Sequence, residues 1–300
     1  MRIDVIINAA AGSVRQYRSK ALVRGVGEAF MGRGHRVGVT LEKGKSLGRA
    51  IRRSCDDPSV EVVVIGGGDG SVSRALEHVV PAGKSLGILP MGTMNYVARE
   101  LGTPRDPVQA AAALADGRVS AIDLGEVNGR MFLIRACLGM LPEFIRGRDL
   151  VRRKGGEVLN AVAAGLLGVV RNYPLIDVAL RWDGGARRLS TPFLMISNNV
   201  CVDTAPLRLR RRRLDEATLA VYLANGIDPA SLATFGIQAM MGQWINNNEL
   251  AWFTTRGIEV DAPGALELSI DGEVETMKPP LAFITRPLAL KILCPTRAAT

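Results

Sequence analysis

Four glycines and an aspartate stand together in VVVIGGGDGSVSRALEHVV, Val62 to Val80, directly after a run of β-branched residues. Glycine fills a strand or helix interior badly, so Gly66, Gly67, Gly68 and Gly70 answer a demand of the backbone. The loop leads into a helix whose Val72, Ala75, Leu76 and Val79 share one face. Backbone amides freed by glycine, next to a helix N-terminus, suit the phosphates of a nucleotide. Two known phosphate loops do not fit. The dinucleotide pattern G-x-G-x-x-G meets Ser71 at its third glycine, and GKS at Gly44 to Ser46 lacks the glycine that a Walker loop requires at Val39. The competing reading is a tight strand-to-helix turn with Asp69 as a solvated cap. A second loop, MGTMNYVARELGTP from Met91 to Pro104, repeats the arrangement. Thr93 or a neighbour is placed to cap a helix that Gly102 and Pro104 close, and Asn95 either points into a cleft or joins that cap. A third stretch, SIDGEVE, reads as a hairpin in which Asp271 and Gly272 make the turn and Glu273 is solvated.

The elements that must position these loops come in two textures. Up to about Asp123, short β-branched runs (IDVIIN, RVGVTL, VEVVVI, SLGILP) alternate with helical stretches, which predicts a parallel sheet with crossover helices. Ligands of such sheets sit at the carboxyl ends of strands, where both glycine loops fall. Beyond Asp123 closely spaced strands with Asp-Gly and Asn-Gly turns predict an antiparallel sandwich or barrel, interrupted by a helix-rich insert over 142–172.

The bulk composition sets limits. Three hundred residues, 47% hydrophobic and 22% charged, suit a folded two-domain protein. The apolar run Val158 to Val170 falls short of the ~20 residues that an α-helix needs to span a bilayer, and the N-terminus reads as a strand rather than a signal peptide. A cytoplasmic location follows as the expectation. Cys55, Cys137, Cys201 and Cys294 lie far apart and only His35 and His78 supply imidazole, which disfavours a zinc site or a disulfide framework. The net charge of +9 fits a nucleic acid, an anionic membrane or a polyanionic substrate. Nucleic acid is disfavoured because aromatics, at 5%, do not interleave with the basic runs.

GGGDGSVSR followed by LPMGTMNYVARELG resembles the diacylglycerol kinase catalytic domain family, which includes sphingosine kinases and bacterial lipid kinases. NAAAGS, IDLGEVNGRMFLIRACLGM, LMISNN and SIDGEVE agree in order, so the resemblance covers nearly the whole chain. It implies an α/β nucleotide-binding domain with a parallel sheet over 1–122, a C-terminal antiparallel β-sandwich domain over 123–287 that binds the acceptor, and a return of 288–300 to the first domain. It implies ATP in the interdomain cleft, with Gly67, Gly68, Asp69, Gly70 and Ser71 against the phosphates. Asn8, Gly12, Thr40, Gly92, Thr93 and Asn95 would line the nucleotide site, with Asp271 and Gly272 beside it. Phosphoryl transfer to an alcohol needs positioning, Mg²⁺ and a group that receives the hydroxyl proton. The resemblance offers Glu273 as that base, with Asp69 holding Mg²⁺ and phosphate geometry, or Asp69 itself as base.

The departures are specific. Ser71 stands where threonine is usual, Ala9 where proline is, and Tyr96 where aspartate commonly follows the asparagine. Leu214, Asp215, Glu216 and Ala217 replace an Asp-Asp-Gly turn that supports a structural Mg²⁺ in some relatives. The glycine conformation is expected to be lost there, and the metal site is not carried over. CLGMLPEFIR also departs from the family pattern, leaving the acceptor open among diacylglycerol, a sphingoid base, an undecaprenol-like alcohol, a phosphatidylglycerol and a soluble alcohol. Arg208, Arg210, Arg211, Arg212 and Arg213 form one basic run, and Arg146, Arg148, Arg152, Arg153 and Lys154 a second beside an apolar helix. Such a surface suits peripheral docking on anionic lipid. An ATP-dependent lipid kinase is the expectation. An NAD kinase-like or soluble-alcohol kinase and a catalytically weakened nucleotide- or lipid-binding regulator are the alternatives, and a homodimer is left open.

Overall fold

Strands that read as unbroken apolar runs belong in the middle of a sheet covered on both faces. The computed structural model bears this out and describes residues 1–11, 19–142, 145, 175–205, 208–224 and 250–296. Gly12, and the expected insert apart from 142 and 145, lie outside the described residues. The chain opens with β1 (Arg2–Asn8), α1 (Ser19–Met31), β2 (Arg36–Glu42), α2 (Lys45–Asp56), β3 (Val62–Gly67), α3 (Asp69–Val79), β4 (Ser85–Pro90), α4 (Tyr96–Glu100) and α5 (Pro107–Ala115). The strands lie in the order β2-β1-β3-β4 with every neighbour parallel. β3 and β4 are buried at every residue. Ile7 stands opposite Gly66, and Gly66 opposite Leu89, so the chain leaves β1, β3 and β4 along one carboxyl edge.

Helices close the sheet from sequence signals that can be named. Asp106 caps α5 by accepting the amides of Val108 and Gln109 at 3.0 and 2.9 Å, with Pro107 in the first turn. Leu22, Val26 and Phe30 of α1 meet Ala110, Ala111 and Leu114 of α5 over Ile3, Val5 and Val64.

Contacts divide the chain into two compact units, Met1–Ile122 with Leu288–Thr300, and Asp123–Pro287. β5 (Arg118–Val127) crosses between them in sequence. The second unit continues with β6 (Arg130–Phe132), β7 (Arg135–Gly139), β8 (Ile176–Trp182), β9 (Gly185–Thr191), β10 (Phe193–Asn198), β11 (Cys201–Ala205), β12 (Arg208–Arg211), β13 (Leu219–Ala224), β14 (Leu250–Thr255), β15 (Gly257–Asp261), β16 (Leu266–Ile270) and β17 (Glu273–Met277). β18 (Leu281–Cys294) ends the described elements.

An antiparallel sheet runs β14-β13-β10-β7-β16-β17, and β9, β8, β15 and the first half of β18 form another. Leu138, Leu194, Ile196, Val221 and Leu268 of the one share a core with Val178, Leu180, Ile258, Val260 and Phe283 of the other, which makes a sandwich. Its turns follow the dipeptides. Asn128 and Gly129 (φ 47° and 86°), like Asp271 and Gly272 (φ 48° and 89°), form two-residue hairpin loops of the I′ type. The last part of β18 returns to the first unit, where Ile292 pairs with Leu86 and Leu293 joins the α1–α5 core. The fold is thus an α/β domain with a parallel sheet followed by an antiparallel β-sandwich. No helix among the described residues is long and apolar enough to cross a membrane.

Candidate active site

The glycines of the first loop are there because three segments touch. A Cβ on Gly92 would lie 2.3 Å from the Gly68 Cα, so the β3–α3 and β4–α4 loops meet glycine to glycine. A Cβ on Gly67 would lie 2.7 Å from the Ser71 Oγ, and one on Gly66 would lie 2.9 Å from Ile7 Cγ1. Met91 N donates to the Gly67 carbonyl at 3.0 Å. Asn8, at the end of β1, donates from Nδ2 to the buried Ser71 Oγ at 2.9 Å, and its Oδ1 accepts the amide of Ala10 at 3.0 Å. The hydroxyl kept at Ser71 therefore ties the first loop to the end of β1. Thr40 stands opposite Ile6 in the neighbouring strand, at the same end of the sheet.

Asn95, read as pointing into a cleft or joining the cap, stands at the cap position of α4, but its side chain turns back onto the loop and makes no cap hydrogen bond. Its Oδ1 accepts the Gly92 amide and its Nδ2 donates to the Gly92 carbonyl, both at 2.8 Å, with φ 49° and ψ 49°. Thr93 is exposed. The cap of α4 comes from neither: Asp69 Oδ1 accepts the Tyr96 amide at 2.8 Å. Asp69 opens α3, whose own cap position is Gly68. The aspartate thus reaches across to the neighbouring helix, a role that its sequence position conceals. Beside it, α3 begins with its N-terminal turn, where the amides of Ser71 and Val72 donate to the Gly68 carbonyl at 2.9 and 3.2 Å.

In the second unit, the turn between β16 and β17 is anchored rather than loose. Asp271 is 8% exposed, and its carboxylate accepts the amides of Leu133, Ile134 and Arg135 at 2.7, 2.8 and 3.1 Å. Burial pushes its pKa up, opposed by those three amides and by Arg211. Asp271 holds the loop between β6 and β7, and Gly272 completes the turn that presents Glu273. Glu273 faces Arg130, whose Nη2 lies 3.9 Å from its Oε2, while Arg130 Nε donates to Glu275 at 3.2 Å. Sequence reasoning missed Arg130; the signal was the alternation of Glu273 and Glu275, which puts both on one side of β17.

The replaced turn near Asp215 keeps its backbone. Ala217 holds φ 52°, so the conformation expected to be lost with glycine is adopted by alanine. Its amide donates to the fully buried Asp123 Oδ2 at 2.7 Å, which supplies the compensation. Asp215 pairs with Arg213 at 2.9 Å and Glu216 with Arg212 at 2.6 Å. Among the described residues no group of three or more His, Cys, Asp and Glu is placed to hold a metal. The basic run is also not one surface: Arg210, Arg212 and Arg213 are exposed, while Arg211 is 3% exposed and donates to the Leu133 carbonyl at 2.5 Å.

Residues 2–127 match the model of the diacylglycerol kinase catalytic domain. A Pseudomonas aeruginosa protein named a probable YegS-like lipid kinase is 31% identical over 280 residues, 88% of this chain and 86% of its own. The chain belongs to the diacylglycerol kinase catalytic domain family. A diacylglycerol kinase of Bacillus subtilis is 25% identical over 224 residues, 73% of each chain. The crystal structure of a diacylglycerol kinase from Bacillus anthracis aligns with all of this chain and 98% of its own, with a TM-score of 0.71 at 16% identity, a likeness of fold. Membership in this kinase family makes the chain a phosphotransferase. The two glycine loops lie within the matched span, and Glu273 lies beyond it.

Proposed function

We propose that the chain is a lipid kinase that transfers the γ-phosphoryl group of ATP, with Mg²⁺, to a lipid hydroxyl. The observation that carries the reading is the contact of Gly68 with Gly92 at the carboxyl edge of the sheet. It leaves a floor of backbone without side chains beside the first amides of α3. Asp69, fixed by the Tyr96 amide, supplies a carboxylate there. Mg²⁺ at kinase sites takes one or two carboxylates together with phosphate oxygens, so no preformed cage of acids is required. When bound it neutralises charge on the transferring group. Asn8 and Ser71 keep the first loop in register with β1, and Glu273 receives the proton of the attacking hydroxyl, whose oxygen bonds to the γ-phosphorus as the bond to ADP breaks. On the acceptor side, Arg210, Arg212 and Arg213 favour an anionic membrane surface by up to ~1 kcal/mol each, less for the two that are paired with acids. Residues 146–154 carry the rest of that proposal and lie outside the described residues. Docking of this kind is peripheral and puts the enzyme at the cytoplasmic leaflet.

The test is transfer of labelled γ-phosphate from ATP and Mg²⁺ to an extracted lipid pool. A labelled lipid with the native chain names the acceptor, and Glu273→Gln is expected to slow its formation by ~10²–10⁴-fold. Asp69→Ala should abolish it. Absence of any labelled lipid, while ATP still binds, would overturn the lipid reading in favour of a soluble acceptor or a regulatory role.

A further inference from the structure

Arg211 ends β12 and is 3% exposed, although a guanidinium is among the costliest groups to bury. Its Nη1 donates to the carbonyl of Leu133 at 2.5 Å. The amide of the same Leu133 donates to Asp271 Oδ2 at 2.7 Å. Two buried charges of opposite sign therefore grip one residue of the β6–β7 loop from its two backbone sides. Asp271 adds the amides of Ile134 and Arg135, and its own amide donates back to the Arg135 carbonyl at 3.0 Å. The loop braced by Arg211 is thus the support of the turn that carries Glu273. We propose that Arg211 is a positioning residue for Glu273, acting through the Leu133–Arg135 loop and the Asp271 carboxylate. The proposal rests on Glu273 as the group that receives the hydroxyl proton.

The arrangement also couples Arg211 to a proton. Among the described residues, the titratable groups that act on Asp271 are Arg211 from β12 and Cys137 from β7, with the Arg135 amide on its carboxylate and Glu273 two residues further on. Cys137, pushed up to about 12 by burial, stays neutral in the working range. Arg211 is the cation that favours the ionised Asp271. Without it, Asp271 protonates at higher pH and cannot offer both oxygens to three amides.

The experiment measures turnover on the extracted lipid pool across pH, with ATP affinity from titration, for Arg211→Met, Arg211→Lys, Glu273→Gln and the double variant Arg211→Met/Glu273→Gln. Arg211→Met is expected to lower kcat by about 10- to 100-fold with ATP affinity unchanged. The acid limb of its pH profile should move to higher pH. Arg211→Lys should recover part of both, since lysine keeps the charge without the planar fork. In the Glu273→Gln background, Arg211→Met should add nothing. A folded Arg211→Met with native kcat and acid limb, a parallel loss of ATP affinity, or a full additive loss in the double variant overturns the proposal. Should Arg211→Met fail to fold, a native profile for Arg211→Lys overturns it and a shifted acid limb supports it. Native turnover of Glu273→Gln would sink the base assignment itself, whereas an inactive Glu273→Gln beside a native Arg211→Met sinks the positioning role alone.

Discussion

A single methyl group separates the two glycine loops from a clash. A methyl carbon on Gly92 would sit 2.3 Å from the Gly68 Cα, so Gly92→Ala must push one backbone off the other. The expected result is a loss of ~1–3 kcal/mol of stability with a larger loss of ATP affinity, read by urea unfolding and by ATP titration. Native affinity would show that the contact does not shape the nucleotide site. At Asp271 the sign of the pH effect follows from its raised pKa. A carboxyl raised on folding contributes stability that is complete below its ordinary value of 3.8 and is lost as pH rises through the folded pKa. Asp271→Asn removes that titration, so the stability advantage of the native chain over the variant should narrow as pH rises above 3.8. A difference that widens with pH would mean that the three amides and Arg211 outweigh burial.

At the scale of elements, the informative places are where one segment completes another. α4 takes its cap from Asp69 at the start of α3, and the turn before β13 is bound to β5 through Asp123. The turn at Ala217 holds a left-handed residue that has a Cβ, a conformation costing roughly 1–2 kcal/mol for a residue other than glycine. Ala217→Gly should therefore raise stability by ~0.5–1 kcal/mol, checked by thermal unfolding, since the amide bond to Asp123 remains. A lower melting temperature would mean that the alanine methyl makes contacts worth more than the strain.

Across the whole molecule, the first unit is incomplete without the end of the chain. Leu290, Ile292 and Leu293 are fully buried, and Leu293 packs in the core of α1 and α5. Leu293→Ala should destabilise the first unit by ~2–5 kcal/mol and weaken ATP binding with it, measured by denaturant titration alongside ATP titration. An unchanged unfolding midpoint would show that the return of β18 is dispensable.

Local order was legible in the sequence because it is written in short range. Strand runs with buried faces, the Asp106-Pro107 start of α5, the Asp271-Gly272 turn and the glycines after β3 and β4 each declare themselves within a few residues. The pairing of two glycine loops at one sheet edge followed from that order, since parallel strands bring their carboxyl ends together. Partners distant in the chain had no such signature. That Asp69 caps α4, that Asn95 folds onto Gly92, that Ala217 keeps a glycine-like turn through Asp123, and that Arg211 is buried rather than part of a basic surface were decided by tertiary packing. The physical reason is the same in each case. A buried polar group must find its hydrogen-bond partner wherever the fold brings one, and a sequence records the group without recording the neighbour.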